Sequence, residues 1–371
     1  MKIAPFALER YFAKYEFEVP YLLCSSDCES VSIQSLLDLE PGAQDHFHAQ
    51  WLGYTDSQGS PELRGEIANL YDKTNADQIL VFAGAEEAIF VYMNAMLDPG
   101  DHIIVHTPCY QSLIEVATAI GCEVTAWQTI ERDQWELDVD LLRRSIKLNT
   151  KAIVFNCPHN PTGYLMSHDK QRQIVEIARE HNLLIFSDEV YRFLELNAED
   201  TLPATCDLYD QAVSLGVMSK TFGLAGLRIG WIATQNRDIQ AQLATFKDYT
   251  TICNSAPSEF LSSLALRHRD VLVQRNLDII RFNLNILDDF FARHVDLFNW
   301  SRPKAGSTAF PKLKIGRNID EFCSDLVQRK GVMLLPGTCY GITEPHFRIG
   351  FGRANLPEAV AKFEEYLQET Y

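Results

Sequence analysis

Nowhere does the 371-residue sequence hold a run close to the ~18 apolar residues that a membrane-spanning helix requires. Cationic excess is missing too: 33 Lys and Arg face 50 Asp and Glu, a formal charge of -17. Footprints for nucleic acid or anionic lipid need the opposite balance, so neither partner is expected, and the acidity reads as solubility. Nine cysteines are dispersed without a CxxC pair. The nearest two, Cys24 and Cys28, have no His/Cys cluster beside them at zinc spacing. His46 and His48 likewise lack a third ligand at usable spacing, so no metal is expected. An odd, scattered set of thiols points to the reducing cytoplasm. The opening MKIAPFALERYFAKYEFE carries charges at Lys2, Glu9 and Arg10 and no apolar secretion core, so no signal peptide is expected. Its aromatics, Phe6, Tyr11, Phe12, Tyr15 and Phe17, read as core or dimer packing. Repeats, low-complexity tracts and long charge blocks are absent as well.

What is present is a globular composition, 46% hydrophobic and 22% charged, in a chain long enough for two domains or one large α/β unit. From about residue 78, short β-branched runs alternate with amphipathic stretches. Strands are expected at 78–83, 102–106, 123–127, 152–156, 183–188 and 212–217, and helices at 85–97, 110–120 and 168–181. This alternation implies an α/β fold with a mostly parallel sheet flanked by helices. Residues 1–48 lack the alternation, and the stretch 260–291 reads as one or two long helices. The expected division is a large domain over 49–254 and a smaller α+β domain built from 1–48 and 255–371.

The run VMSKTFGLAGLRIGW (217–231) places a lysine, Lys220, just past an apolar strand. A lysine near a strand end ordinarily snorkels to water. The alternative is a desolvated amine of lowered pKa, ready to attack a carbonyl. In open α/β sheets catalytic groups gather at the carboxyl ends of strands, and three further polar motifs sit at such ends: TPCY (107–110), NCPHNPTG (156–163) and SDEVY (187–191). Read singly, each has an ordinary explanation as turn, cap or half-buried aromatic.

Taken in order, Asn-Pro-Thr-Gly at 160–163, Asp188-x-x-Tyr191 and Ser219-Lys220 with Arg228 eight residues on resemble the signature of class I/II aminotransferases. The resemblance runs from roughly residue 50 to 235 and resumes at FRIGFGR (347–353). It implies the fold of pyridoxal-phosphate enzymes of fold type I, with a seven-stranded type of sheet, and pyridoxal 5'-phosphate as cofactor. By the same resemblance Lys220 links to the cofactor aldehyde and moves a proton, Asp188 pairs with the ring nitrogen, and Asn160 and Tyr191 bond the phenolic oxygen. Tyr110 stacks on the ring, while Arg228, Ser219 and the turn Gly84-Ala85-Glu86 hold the phosphate. Arg348 clamps the substrate α-carboxylate, with Asn160 beside it. Tyr54, in GYTDSQGSPELR, reaches the neighbouring subunit's phosphate, which implies a homodimer with shared sites.

Three departures stand out. Val217 occupies the position where many relatives place a phosphate-binding serine, and Glu86 brings a carboxylate to the phosphate turn. The segment CSSDCES (24–30) replaces the usual family opening and resembles capreomycidine synthase, a relative that eliminates water and cyclises an arginine derivative. The leading reading is an aminotransferase acting on an amino acid and a 2-oxo acid. A pyridoxal-phosphate lyase or cyclase is the second. Intact Lys220, Asp188 and Arg348 count against a third, a non-catalytic protein that kept the fold.

Overall fold

Apolar runs without alternation belong in a sheet covered on both faces, and that is where they lie. The computed structural model describes residues 2–371. Its strands are β1 (Ile79–Phe82), β2 (His102–Thr107), β3 (Glu123–Gln128), β4 (Thr150–Asn156), β5 (Leu184–Asp188), β6 (Ala212–Val217) and β7 (Gly230–Ala233). Every residue of β1, β5, β6 and β7 is buried. Alternate residues serve opposite faces. Ile103, Val105 and Val154 pack with Ile89 and Tyr92 of the helix Ala85–Met96, whereas Ile104, Ile153 and Phe155 pack with Ile174 and Ile177 of the helix His168–Glu180.

The sheet order is β1-β7-β6-β5-β4-β2-β3. Neighbours are parallel except at β7, which runs antiparallel to both β6 and β1. β7 is the strand that the sequence reading missed, since four residues among glycines give almost no periodicity to read. Because β7 alone is reversed, the carboxyl ends of β1, β4, β5 and β6 open on the same edge at which β7 begins. Register pairs Asn156 with Asp188, and pairs both Phe82 and Val217 with Gly230. One edge of the sheet therefore collects the carboxyl ends of six strands, β1 to β6.

Five short strands follow: β8 (Phe298–Asn299), β9 (Thr308–Ala309), β10 (Lys312–Leu313), β11 (Leu335–Pro336) and β12 (Phe347–Gly350). They form one sheet ordered β11-β12-β9 and a pair β10-β8. The stretch 260–291 falls in two helices, Ala256–Arg267 and Arg269–Arg293, which meet at His268. Leu8 and Tyr15 of the N-terminal helix Ala7–Tyr15 pack against Val327, Met333 and Leu335, so the two chain ends share a core. The contact continues through the backbone. Gly350 donates to the Leu23 carbonyl at 2.8 Å, and Glu29 donates to that of Gly352 at 2.8 Å. A Cβ on Gly350 would stand 1.7 Å from the Ser25 oxygen, and one on Gly352 2.4 Å from that of Asp27. The glycines of FRIGFGR let residues 23–29 lie flat on this strand. No described helix is long and apolar enough to cross a membrane.

Candidate active site

A cavity of about 400 Å³ opens at the shared strand edge. Ten of the twelve site residues named from the sequence line it: Ala85, Glu86, Tyr110, Asn160, Asp188, Tyr191, Ser219, Lys220, Arg228 and Arg348. Gly84 lies just behind the lining, and Tyr54 is elsewhere. At 93% exposure, Tyr54 projects from the surface beside exposed Trp51 and Leu52.

Lys220 sits three residues past β6, half-buried, with Nζ donating to Ser26 Oγ at 2.9 Å. Burial lowers its pKa; Arg348 adds to the lowering, while Asp27 and Asp188 oppose it. This is the desolvated amine, not the snorkelling one. Asp188 ends β5, buried at 5% exposure. Burial pushes its carboxyl up to about 7, against the pull of the Val190 N–H and of Lys220. Its Oδ1 accepts from that N–H at 3.2 Å, and its carbonyl accepts from Asn156 Nδ2 at 2.9 Å. Tyr191 is buried, and its hydroxyl finds no hydrogen-bond partner among the described residues. Tyr110 is half-buried, with its ring 5.0 Å from that of Phe6 and its hydroxyl donating to Glu9 at 3.3 Å.

Arg348 comes from β12, far along the chain, and is 2% exposed. A surface arginine on a short strand would not be. Its Nε donates to the Cys24 carbonyl at 2.9 Å, and its Nη1 donates to Asn160 Oδ1 at 3.2 Å and to the Tyr340 hydroxyl at 2.7 Å. Two of the three guanidinium nitrogens are thus engaged in holding the group still. Nη2 is the guanidinium nitrogen left without a hydrogen bond among the described residues.

Gly84 adopts φ +96°, and a Cβ there would stand 2.5 Å from Nη2 of Arg228. The positive φ is what calls for glycine, and the Arg228 guanidinium lies against the turn that opens the helix Ala85–Met96. Arg228 itself is in the left-handed region (φ +53°) and exposed, one residue before the buried run into β7. Glu86, in the first turn of that helix, opens onto the cavity. The surrounding protein nevertheless pushes its carboxyl up to about 7, with Ser112 and Arg228 pulling the other way. The upward shift favours the neutral acid, which softens its repulsion of an anion at this helix start. Val217 closes β6 at the cavity wall and offers no hydrogen bond.

The descriptor "Aminotransferase class I and II" matches residues 24–363. The chain belongs to this family. It is 32% identical to a PLP-dependent aminotransferase from Streptococcus suis of known structure, with a TM-score of 0.94 over 100% of this chain and 99% of that one. It is 27% identical to capreomycidine synthase of Streptomyces vinaceus, over 97% of this chain and 93% of the relative. Aspartate aminotransferase of Pyrococcus abyssi is 28% identical, over 85% and 84% of the two chains.

Class I and II aminotransferases depend on pyridoxal 5'-phosphate, and the residues here fit that group. The orphaned Tyr191 hydroxyl, the carboxyl of Asp188 without a cation in contact, and the half-buried amine of Lys220 all face one cavity. Three residues that line or brace the site escaped the sequence reading. Asn156 was legible, since it ends an expected strand inside a quoted motif; its Oδ1 accepts from the Asn160 N–H at 2.7 Å. Tyr340 and Phe12 had no local signal. Phe12 corrects the assignment of the N-terminal aromatics to packing alone: it lines the cavity with its ring 5.9 Å from the Arg348 guanidinium carbon.

Proposed function

We propose that the protein is an aminotransferase that moves an amino group from an amino acid to a 2-oxo acid, working as a cytoplasmic homodimer. The observation that supports this best is the meeting of Lys220, Asp188 and Arg348, from three distant segments, in one cavity. Residues 49–254 form the cofactor-holding unit in this reading, and both chain ends supply the substrate-facing one.

Bound pyridoxal phosphate supplies a ring that accepts the electron pair left when the substrate's α-proton departs. Lys220 is the residue that would hold the cofactor's aldehyde, and its Nζ, once free, would take the substrate's α-proton and return it. Its lowered pKa keeps enough free amine for that work. Asp188 would hold the ring nitrogen in its protonated form, and a cation there would favour the ionised carboxylate. Tyr191 and the Asn160 amide donate to the phenolic oxygen, and Tyr110 covers the ring. Arg228, Ser219 and the N–H groups of Ala85 and Glu86 hold the phosphate. Arg348 Nη2 binds the α-carboxylate and orients the α-proton toward Lys220.

A lyase or cyclase is the second reading. It draws on Ser25, Ser26 and Asp27, which line the cavity beside Lys220 as the unusual CSSDCES segment led one to expect, and on the kinship with capreomycidine synthase. A single-turnover mixture without any oxo acid separates the two. An aminotransferase releases one 2-oxo acid per site and stops. Continued turnover, with product lacking a β-substituent, would refute transamination. Borohydride should fix the cofactor on the peptide that contains Lys220, and on no other.

A further inference from the structure

Besides Asp188, four carboxylates line the cavity: Glu9, Glu16, Asp27 and Glu86. Arg353 engages Asp27 through two hydrogen bonds, 2.9 and 3.2 Å. The remaining cations, Lys220, Arg228 and Arg348, are committed under the proposed function to cofactor amine chemistry, phosphate and α-carboxylate. That leaves Glu9 and Glu16 without an ion pair among the described residues; Arg353, whose charge reaches Glu16, is held by Asp27.

The placement of these two is informative. Glu9, Phe12 and Glu16 follow one another at spacings of three and four along the N-terminal helix and its last turn, so they share a face. Phe12 in the middle faces Arg348. The two carboxylates, about 10 Å apart along the axis, therefore flank the point where the substrate's α-carboxylate docks. Glu9 is held by the Tyr110 hydroxyl. The Glu16 carboxylate has neither a hydrogen bond nor an ion pair among the described residues; burial and the charge of Glu9 push it above the usual range, against the pull of Arg353. A carboxylate left unpaired in a binding cavity costs free energy that an incoming cation recovers.

We infer that the substrate amino acid carries a cationic side chain, an amine or guanidinium on an aliphatic stem, whose head is bound by Glu16 with Glu9 adding to the field. The inference rests on the proposed reading of Lys220 and Arg348 as the amine- and carboxylate-handling groups. An acidic side chain would meet like charges along the same helix and be rejected. The preference is thus opposite to that implied by the name of the aspartate aminotransferases among the relatives.

The test titrates the cofactor-loaded enzyme with ornithine, arginine, leucine and glutamate, and follows the cofactor's absorbance on rapid mixing. The readout is the Kd, which holds whether the bound amino acid goes on to transamination or elimination. Ornithine or arginine should bind at least about tenfold more tightly than leucine, a difference within reach of one charge-assisted contact, and glutamate should bind worst. Glu16→Gln should raise the Kd for the basic amino acids at least about tenfold more than for leucine, and Glu16→Lys should turn the preference toward glutamate. Equal affinities across the four, or equal losses for all four in Glu16→Gln, would overturn the inference while leaving the cofactor chemistry intact. A protein with no cofactor band and no borohydride label at Lys220 would sink the underlying reading, and the inference with it.

Discussion

At Arg348 the charge is fixed before any substrate arrives. Three neutral acceptors, the Cys24 carbonyl, the Asn160 amide oxygen and the Tyr340 hydroxyl, orient the guanidinium without neutralising it. Arg348→Ala should therefore weaken amino-acid binding by roughly ten- to a hundred-fold, the range of a charge-assisted contact, and leave cofactor affinity nearly unchanged. Equal losses for amino acid and cofactor would refute that division. Residues of the cofactor set were legible in the sequence for a physical reason. Asn160, Asp188 and Lys220 each sit within a few positions of a strand end, so local turn chemistry and strand pattern mark them together. Tyr340 was not legible, nor was the partner that Ser26 meets. Ser26 reaches Lys220 across 194 residues of chain, and no local pattern encodes a meeting at that separation.

Among the elements, β12 serves twice, since it carries Arg348 and also forms the floor on which residues 23–29 lie. Its glycines make that seat possible, and the close approach is backbone to backbone, so no rotamer change can relieve it. Gly350→Ala should cost about 1–3 kcal/mol, as overpacking in a tight core does. The melting temperature should fall, and the KM for the amino acid should rise more than the cofactor's Kd. Identical shifts in both constants would mean that the substitution disturbs the whole site, and that β12 does not selectively seat the N-terminal segment. The sequence offered the motif FRIGFGR and so the arginine; the reason for its two later glycines became visible only when the opposite chain end lay against them. β7 was hidden for a related reason, since a four-residue strand among glycines is defined by its neighbours and not by its own pattern.

For the whole molecule, two expectations follow from charge and exposure. Asp188, pushed up to about 7 by burial, binds its proton more tightly folded than unfolded. Its contribution to stability is complete below its unfolded pKa, about 4, and is lost as pH rises through about 7. A protonated ring nitrogen beside it favours the ionised form and removes that loss. The gap between the melting temperatures of the cofactor-bound and cofactor-free proteins should widen from pH 5.5 to 7.5, after matching ionic strength; a constant gap would refute the pairing. Exposed Trp51, Leu52, Tyr54 and Tyr249 project apolar area into solvent, which suits a subunit interface. Mixing Tyr54→Ala with Lys220→Ala subunits should restore about a quarter of wild-type activity, since half of a random mixture is heterodimer with one intact site of two. No recovery would place Tyr54 in its own subunit's site or outside any site.

The flat seat of residues 23–29 on β12 has an evolutionary corollary. The floor of the cavity comes from the ends of β1, β4, β5 and β6, and its roof from the first 29 residues together with β12. Floor and roof come from separate stretches of chain and meet at the cavity through contacts such as Lys220 to Ser26, Arg348 to Asn160 and Tyr110 to Glu9, so a roof can change while those few meeting points are kept. A lineage built this way can change its diet without relearning its chemistry. Transplanting the roof of one relative onto the floor of another, glycines included, is then a route to hybrid enzymes with altered amino-acid choice.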